Sequence, residues 1–229
     1  MDFELDRPNV TEKNGNLLWC PFAEIGPKMR THGTFKNNYP TYVVVHFTAG
    51  RSMKGDKDAI NCIRYGIEQG YAYFCLSRTG TLFQTHSLAE YGWHAGKSEY
   101  KGLRGLSQYS IGIEVNCAGK VLETTSGFKT WFNEFLPESE VRELKKPQDN
   151  SPAGFYHKFT VEQEKTLLDF LMWLKWNNTD FDFDNVVGHN EIAFPAGRKN
   201  DPGGSLSMSM PEYRKFLKNH WETVHALKK

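Results

Sequence analysis

Neither sign of charge predominates: 28 lysines and arginines stand against 27 aspartates and glutamates in 229 residues, a formal net charge of +1. Such a surface sets up no long-range field towards nucleic acid or an anionic membrane, so neither is expected as a partner. Long hydrophobic runs are missing as well. The longest aliphatic run is Val43, Val44 and Val45, far short of the roughly 20 residues that cross a bilayer. The N-terminal MDFELDRPNV is acidic and broken by Pro8, so neither membrane insertion nor a secretory signal is expected. Cysteine is scarce. Cys20, Cys62, Cys75 and Cys117 form no CxxC pair and are too few for a disulfide framework at this length, which leaves buried free thiols as the expectation.

What is present suits a core. Hydrophobic residues make up 39%, with 16 Phe, 10 Tyr and 6 Trp, enough apolar material for one large domain that folds alone. Residues 1–40 are punctuated by Pro8, Pro21, Gly26, Pro27, Gly33 and Pro40 and predict an N-terminal extension wrapped on the domain that follows over 41–229. TYVVVHF at 41–47 is the β-branched run of a strand buried on both faces. From Asp58, the spacing of Ala59, Ile60, Ile63 and Ile67 predicts an amphipathic helix stopped at Gly70. The runs at 71–77 and 81–84 flank Arg78, Thr79 and Gly80 as a hairpin does. SIGIEV at 110–115 predicts another buried strand, with Glu114 as a charge that needs an explanation. Thr160 and Gln163 make a capping box for a helix with Leu167, Leu168, Leu171 and Leu174 inside, and FDNVVGHN gives a short strand ending at Gly188 and His189. Ser209 and Glu212 cap a last helix burying Tyr213, Phe216, Leu217, Val224 and Leu227, and the Lys228 and Lys229 tail reads as solvated. Strands interspersed with helices indicate a mixed α/β sandwich.

His46 and His189 each fall at a strand end followed by turn residues, where α/β sheets assemble their sites. Asp201 follows in GRKNDPGG, a loop made irregular by Gly197, Pro202, Gly203 and Gly204. Two imidazoles and one carboxylate, with a fourth position open, are the donor set of a catalytic zinc site. Taken singly, each histidine has a plainer reading as a hydrogen-bonded or surface group, and composition does not select these three from eight histidines and 27 acids.

A resemblance does select them. HFTAG at 46–50, GYAYFCLSRTGTLFQ at 70–84, GWHAG at 92–96, SIGIE at 110–114 and GHNEIAFPAGRKNDPGG at 188–204 resemble, in the same order, the motifs of zinc-dependent N-acetylmuramoyl-L-alanine amidases of type 2. Peptidoglycan recognition proteins and phage amidase-lysozymes are related to these. The resemblance spans about residues 41–217 and implies the family fold, a central mixed β-sheet flanked by helices. It also implies one zinc ion held by His46, His189 and Asp201. Family members place the catalytic partner either as a tyrosine before the RxG turn, where this chain has Ala72 between Tyr71 and Tyr73, or as the glutamate of SIGIE, here Glu114. The resemblance therefore implies the glutamate subtype, with Lys199 as the cation facing the developing oxyanion and Trp93 and His94 binding substrate. The plainer alternatives are a buried ion pair for Glu114, a solvated loop lysine for Lys199 and a turn-stabilising role for His94. Asn190 and Glu191 are expected to hold the loop of the ligand they follow.

The implied activity is hydrolysis of the amide between N-acetylmuramic acid and L-alanine, with peptidoglycan or a muropeptide as partner and a monomer sufficient for it. Two rival readings are a binding module that has lost catalysis, for which a missing ligand is the usual sign, and a zinc hydrolase acting on another amide, since ligands fix reaction type and not substrate. Without a signal peptide, the expected route is synthesis in the cytoplasm and action on the wall after lysis or non-classical delivery; no delivery or immunity partner is legible. The segment at about 120–157 is an insertion. Its Phe128, Trp131, Phe132 and Phe135 either line a glycan groove or dock a delivery partner, or they bury a short helix on the sheet.

Overall fold

The computed structural model describes residues 12–13, 16–53 and 55–226. The expected burial of Leu227, the Lys228 and Lys229 tail, and residues 1–11, 14 and 15 of the N-terminal extension lie outside the described residues. Six strands form one mixed sheet: β1 (Glu24–Ile25), β2 (Tyr42–Phe47), β3 (Phe74–Leu76), β4 (Leu82–Gln84), β5 (Ser110–Val115) and β6 (Val186–Gly188). Their order is β6-β2-β5-β3-β4-β1. β2 runs parallel to β6 on one side and β5 on the other. β3 and β4 form the expected antiparallel hairpin, its turn closed at Gly80 with φ of 89°, although the first strand covers only 74–76. The extension supplies the edge: β1 pairs parallel to β4.

Among the described residues there are four α-helices: α1 (Lys57–Gln69), α2 (Val161–Asn177), α3 (His189–Ile192) and α4 (Met210–Ala226). Alternation along β2 divides the molecule into layers. Val43 and Val45 enter the main core with Phe74, Leu76, Ile111 and Ile113 of the neighbouring strands, Leu167, Leu171 and Leu174 of α2, and Tyr213 and Leu217 of α4. Each fully buried side chain of this kind contributes about 1.5–3 kcal/mol. Val44 faces the opposite way, onto Ala95, Leu106 and Ile192. His46 is two residues further along and shares that face. The opposite side is thus covered in two pieces. α1 packs Ala59 and Ile63 over Cys75 and Phe83 at the β3–β4 end, while the 95–106 segment and α3 cover β2 and β6, and a crevice separates them.

The capping boxes form as the spacing predicts: Gln163 N–H donates to Thr160 Oγ1 at 3.1 Å, and Ser209 N–H donates to Glu212 Oε2 at 3.0 Å. Leu168, Phe216 and Val224 are only half-buried. Ile67 departs from expectation and is exposed, because the last turn of α1 packs inward through Gly66, where an added Cβ would stand 2.1 Å from Met29 Cε. The four thiols are free, three of them buried and Cys62 half-buried. Among the described residues no helix is long and apolar enough to cross a membrane.

The inserted segment builds no helix over the aromatics. It is a five-stranded antiparallel sheet of Lys120–Thr124, Gly127–Lys129, Phe135–Leu136, Val141–Leu144 and Gly154–His157. Val121, Val141, Phe128, Phe132 and Phe155 make its own small core. Residues able to adopt positive φ, Gly127, Asn133, Asp149 and Asn150, recur often enough to fold the stretch into hairpins instead. The four aromatics divide: Phe128 and Phe132 pack inward, while Trp131 and Phe135 are 71% and 54% exposed.

Candidate functional site

The crevice opens at the carboxyl ends of β2, β5 and β6, as open α/β sheets favour. It is a cleft of about 680 Å³ whose walls include His46, Glu114, His189, Lys199 and Asp201. In the parallel register His46 stands beside Glu114, and Glu114 beside Cys75. Paired residues of parallel strands point to the same face, which brings the imidazole and the carboxylate out together. His189 begins α3 directly after β6. Asp201 arrives on the 197–204 loop, which Asn190 N–H fastens by donating to Asp201 O at 2.8 Å. Glu191 caps the same helix on Gly188 N–H and takes a two-point ion pair from Arg214, at 2.9 Å for each contact. The two residues following His189 therefore hold its loop in place.

Three donor atoms meet. His46 Nδ1 is 2.9 Å from His189 Nδ1 and 3.1 Å from Asp201 Oδ2, and His189 Nδ1 is 2.9 Å from the same oxygen. All three side chains are buried. The outer ring nitrogens fix the tautomers. His189 Nε2 faces the Ala95 carbonyl at 3.0 Å, an acceptor only, so it carries the proton. His94 Nε2 faces the Ser110 carbonyl at 3.1 Å and is protonated for the same reason. That leaves His94 Nδ1 to accept from His46 Nε2 at 3.0 Å. Both inner Nδ1 atoms are then unprotonated. Two lone pairs and a carboxylate oxygen converge within about 3 Å, an arrangement that repels itself unless a cation lies among them. The donor set of two imidazoles and one carboxylate fits a zinc-type ion with an open position.

Electrostatics agree with this assignment. Burial, then the neighbouring His189, holds His46 down to about 4, so the ring is neutral. Burial opposes ionisation of Asp201, while the facing His189 and His46 rings pull its carboxyl below the usual carboxylate range. Glu114 is pushed well above it, first by burial and then by Cys62 and Asp201, with Lys199 opposing. Its Oε1 lies 4.0 Å from His46 Nδ1 and its Oε2 is buried without a hydrogen-bond partner. A carboxylate beside the donor cluster with one oxygen uncommitted is placed to handle a proton.

Of the remaining sequence-derived positions, Lys199 lines the cleft two residues before Asp201, and Trp93 lies at its edge, 39% exposed, its ring 5.0 Å from His32. His94 is placed differently from a surface contact. Although it borders the cleft, both of its nitrogens are engaged, one by His46 and one by Ser110, and it packs so close to β5 that a Cβ on Gly112 would lie 2.6 Å from its ring. Both tyrosines line the cleft, Tyr73 with its hydroxyl donated to Cys62 O at 2.8 Å. Sequence reasoning missed Ser151 and Ser107. Ser151 donates to Asn200 O at 2.9 Å and accepts from Asn190 Nδ2 at 2.7 Å, and Ser107 Oγ receives the backbone N–H groups of His94 and Ala95 at 3.2 and 3.0 Å. Both are ordinary serines with no motif around them.

Comparison with known proteins bears on this arrangement. The family model described as N-acetylmuramoyl-L-alanine amidase matches residues 36–204. Among solved structures, an AmpD crystal structure is 22% identical with a TM-score of 0.55, covering 86% of this chain and 95% of its own. AmpDh3 from Pseudomonas aeruginosa, in complex with an anhydromuramic pentapeptide, is 17% identical with a TM-score of 0.52, covering 91% and 66%. AmiD from E. coli, in complex with anhydro-N-acetylmuramic acid-L-Ala-D-gamma-Glu-L-Lys, is 18% identical with a TM-score of 0.50, covering 76% and 56%. At these identities the likeness is one of fold. No curated protein sequence matches the chain.

Proposed function

The chain belongs to the N-acetylmuramoyl-L-alanine amidase family, and from that premise we propose that it cleaves the lactyl–L-alanine amide of peptidoglycan or its fragments with a zinc ion held by His46, His189 and Asp201. The observation that carries this reading is the meeting of two unprotonated Nδ1 atoms and one carboxylate oxygen within about 3 Å. When bound, the ion supplies Lewis-acid polarisation of the amide carbonyl and lowers the pKa of water.

The chain's own groups do the rest. Glu114, with its free Oε2 beside the donor cluster, takes the proton of the attacking water and delivers it to the departing amine of alanine. The burial that raises its affinity for a proton makes it the stronger base for that transfer. Lys199 places its ammonium where negative charge grows on the carbonyl oxygen. His94 does not need to touch substrate: by accepting from His46 Nε2 it orients the ring whose other nitrogen faces the ion. Trp93 at the cleft edge contributes apolar contact to the substrate. The related complexes hold anhydromuramyl peptides, and the same chemistry of sugar, lactyl ether and stem peptide suits this cleft.

Mass spectrometry of products from purified peptidoglycan tests the reading. Release of stem peptides beginning at L-alanine, abolished by a chelator and restored by zinc, is the expected result. Products cut between sugars or within the peptide would overturn it.

A further inference from the structure

We propose that the hairpin tip of the inserted sheet is a sugar-binding lip on the cleft, in which Trp131 takes an uncharged pyranose ring of the glycan strand. This rests on the amidase reading above and concerns what lies beyond the scissile bond. Trp131 is the most exposed large aromatic of the described residues, at 71%, while Phe132 beside it packs inward. It is nevertheless fixed. Its Nε1 donates to the Ala49 carbonyl at 2.7 Å, and the Phe132 ring meets it edge-on at 5.3 Å. Arg51 lies 4.9 Å over the Phe132 ring and forms an ion pair with Glu134 at the far side of the turn. The tip is therefore tied at several points to the loop that follows His46.

That loop is cleft wall. Ala49 lines the cleft with His46, so the indole continues a surface that begins at the donor cluster. Ordering a solvent-exposed indole against an active-site loop is costly in freedom and gains little burial, which is the pattern of a contact surface awaiting a ligand. The chemistry of the lip selects the occupant. The indole N–H is already used by Ala49, leaving ring surface and no hydrogen-bond donor. Arg51 is paired with Glu134, so the lip carries no net positive charge to draw the carboxylates of a stem peptide. Ring surface next to a neutralised ion pair suits the C–H face of an uncharged sugar.

Two measurements on the holoenzyme test this: retention on peptide-free glycan strands by affinity electrophoresis, and kcat/KM on polymeric peptidoglycan compared with a single-sugar muramyl peptide. Trp131→Ala is expected to weaken retention about three- to tenfold, and to lower kcat/KM on the polymer by about that factor more than on the small substrate. Trp131→Phe keeps a ring without the N–H and should recover part of both, which separates ring contact from the anchor to Ala49. Wild-type retention by Trp131→Ala, or equal losses on the two substrates at an unchanged melting temperature, would overturn the proposal. If the wild-type enzyme released no stem peptide from either substrate, the amidase reading would fall, and retention on the strands would still decide the lip.

Discussion

His94 offers the most discriminating substitution, because its two readings, substrate contact and support for His46, predict different losses. Replacement by alanine removes the acceptor that His46 Nε2 meets at 3.0 Å and leaves the Ser110 carbonyl without its donor at 3.1 Å. His46 then loses the contact that fixes both its tautomer and its ring orientation. Outer-shell partners of this kind are worth about 10- to 100-fold in metal affinity, or about 1.4–2.7 kcal/mol. A competitive chelator titration reads that quantity directly and is independent of turnover. His94→Asn is the control: its Oδ1 stands near the position of Nδ1 and accepts from His46, so most of the affinity should return although Ser110 stays unpaired. Gly112→Ala approaches the same contact from the strand, since the new Cβ would lie 2.6 Å from His94 Cγ and Nδ1 and must push the ring away. Wild-type metal affinity in His94→Ala, coupled with a raised KM, would refute the supporting role and restore the expectation of a substrate contact.

Strand ends marked His46 and His189, and a loop rich in glycine and proline marked Asp201, but only the resemblance singled these three out of eight histidines and 27 acids. Glu114 was legible for a related reason, as a charge inside an apolar strand. The role of His94 was not, because it depends on a contact 48 residues away in sequence and on the tautomer that the Ser110 carbonyl imposes. The bracing by Ser151 is equally a product of the fold, since it joins the inserted sheet to the Asp201 loop across 49 residues. The insertion itself was misjudged by composition: four aromatics in eight residues suggest one buried face, whereas hairpin pairing sends Phe128 and Phe132 inward and leaves Trp131 and Phe135 outside. In Ile67 the periodicity was present and the contact was not, because the last turn of α1 lays Gly66, not Ile67, against Met29 and Tyr73.

The remaining predictions concern chemistry and acid stability. Glu114→Gln keeps shape and burial but cannot accept a proton, so kcat should drop by about two to four orders of magnitude at unchanged metal content; near wild-type kcat would move attention to Tyr71 at the cleft edge. Lys199→Met keeps the alkyl stem and removes the cation, and should cost about two to three orders of magnitude, mostly in kcat; a loss confined to KM would make it a binding residue. Away from the donor cluster, two buried histidines should make the fold sensitive to acid. Burial holds His86 down to about 4, and burial with the charge of Arg78 holds His157 down to about 3. His157 Nδ1 accepts from the Ala118 N–H at 3.0 Å, a bond that protonation of this nitrogen must break, and Glu140, 3.1 Å from Nε2, does not compensate for it. Both folded-state values lie below the unfolded value of 6.5, so below that pH the unfolded chain binds protons that the folded one refuses, and stability falls as pH falls, through about 4 for His86 and about 3 for His157. The slope is at most about 1.4 kcal/mol per pH unit for each group, so between pH 7.5 and 5.5 these two histidines together should remove about 2–3 kcal/mol of the stability read by urea unfolding. His157→Gln, whose amide retains an acceptor for Ala118, should shrink the measured pH difference by about 1–1.4 kcal/mol; an unchanged difference would show that His157 is not refusing its proton.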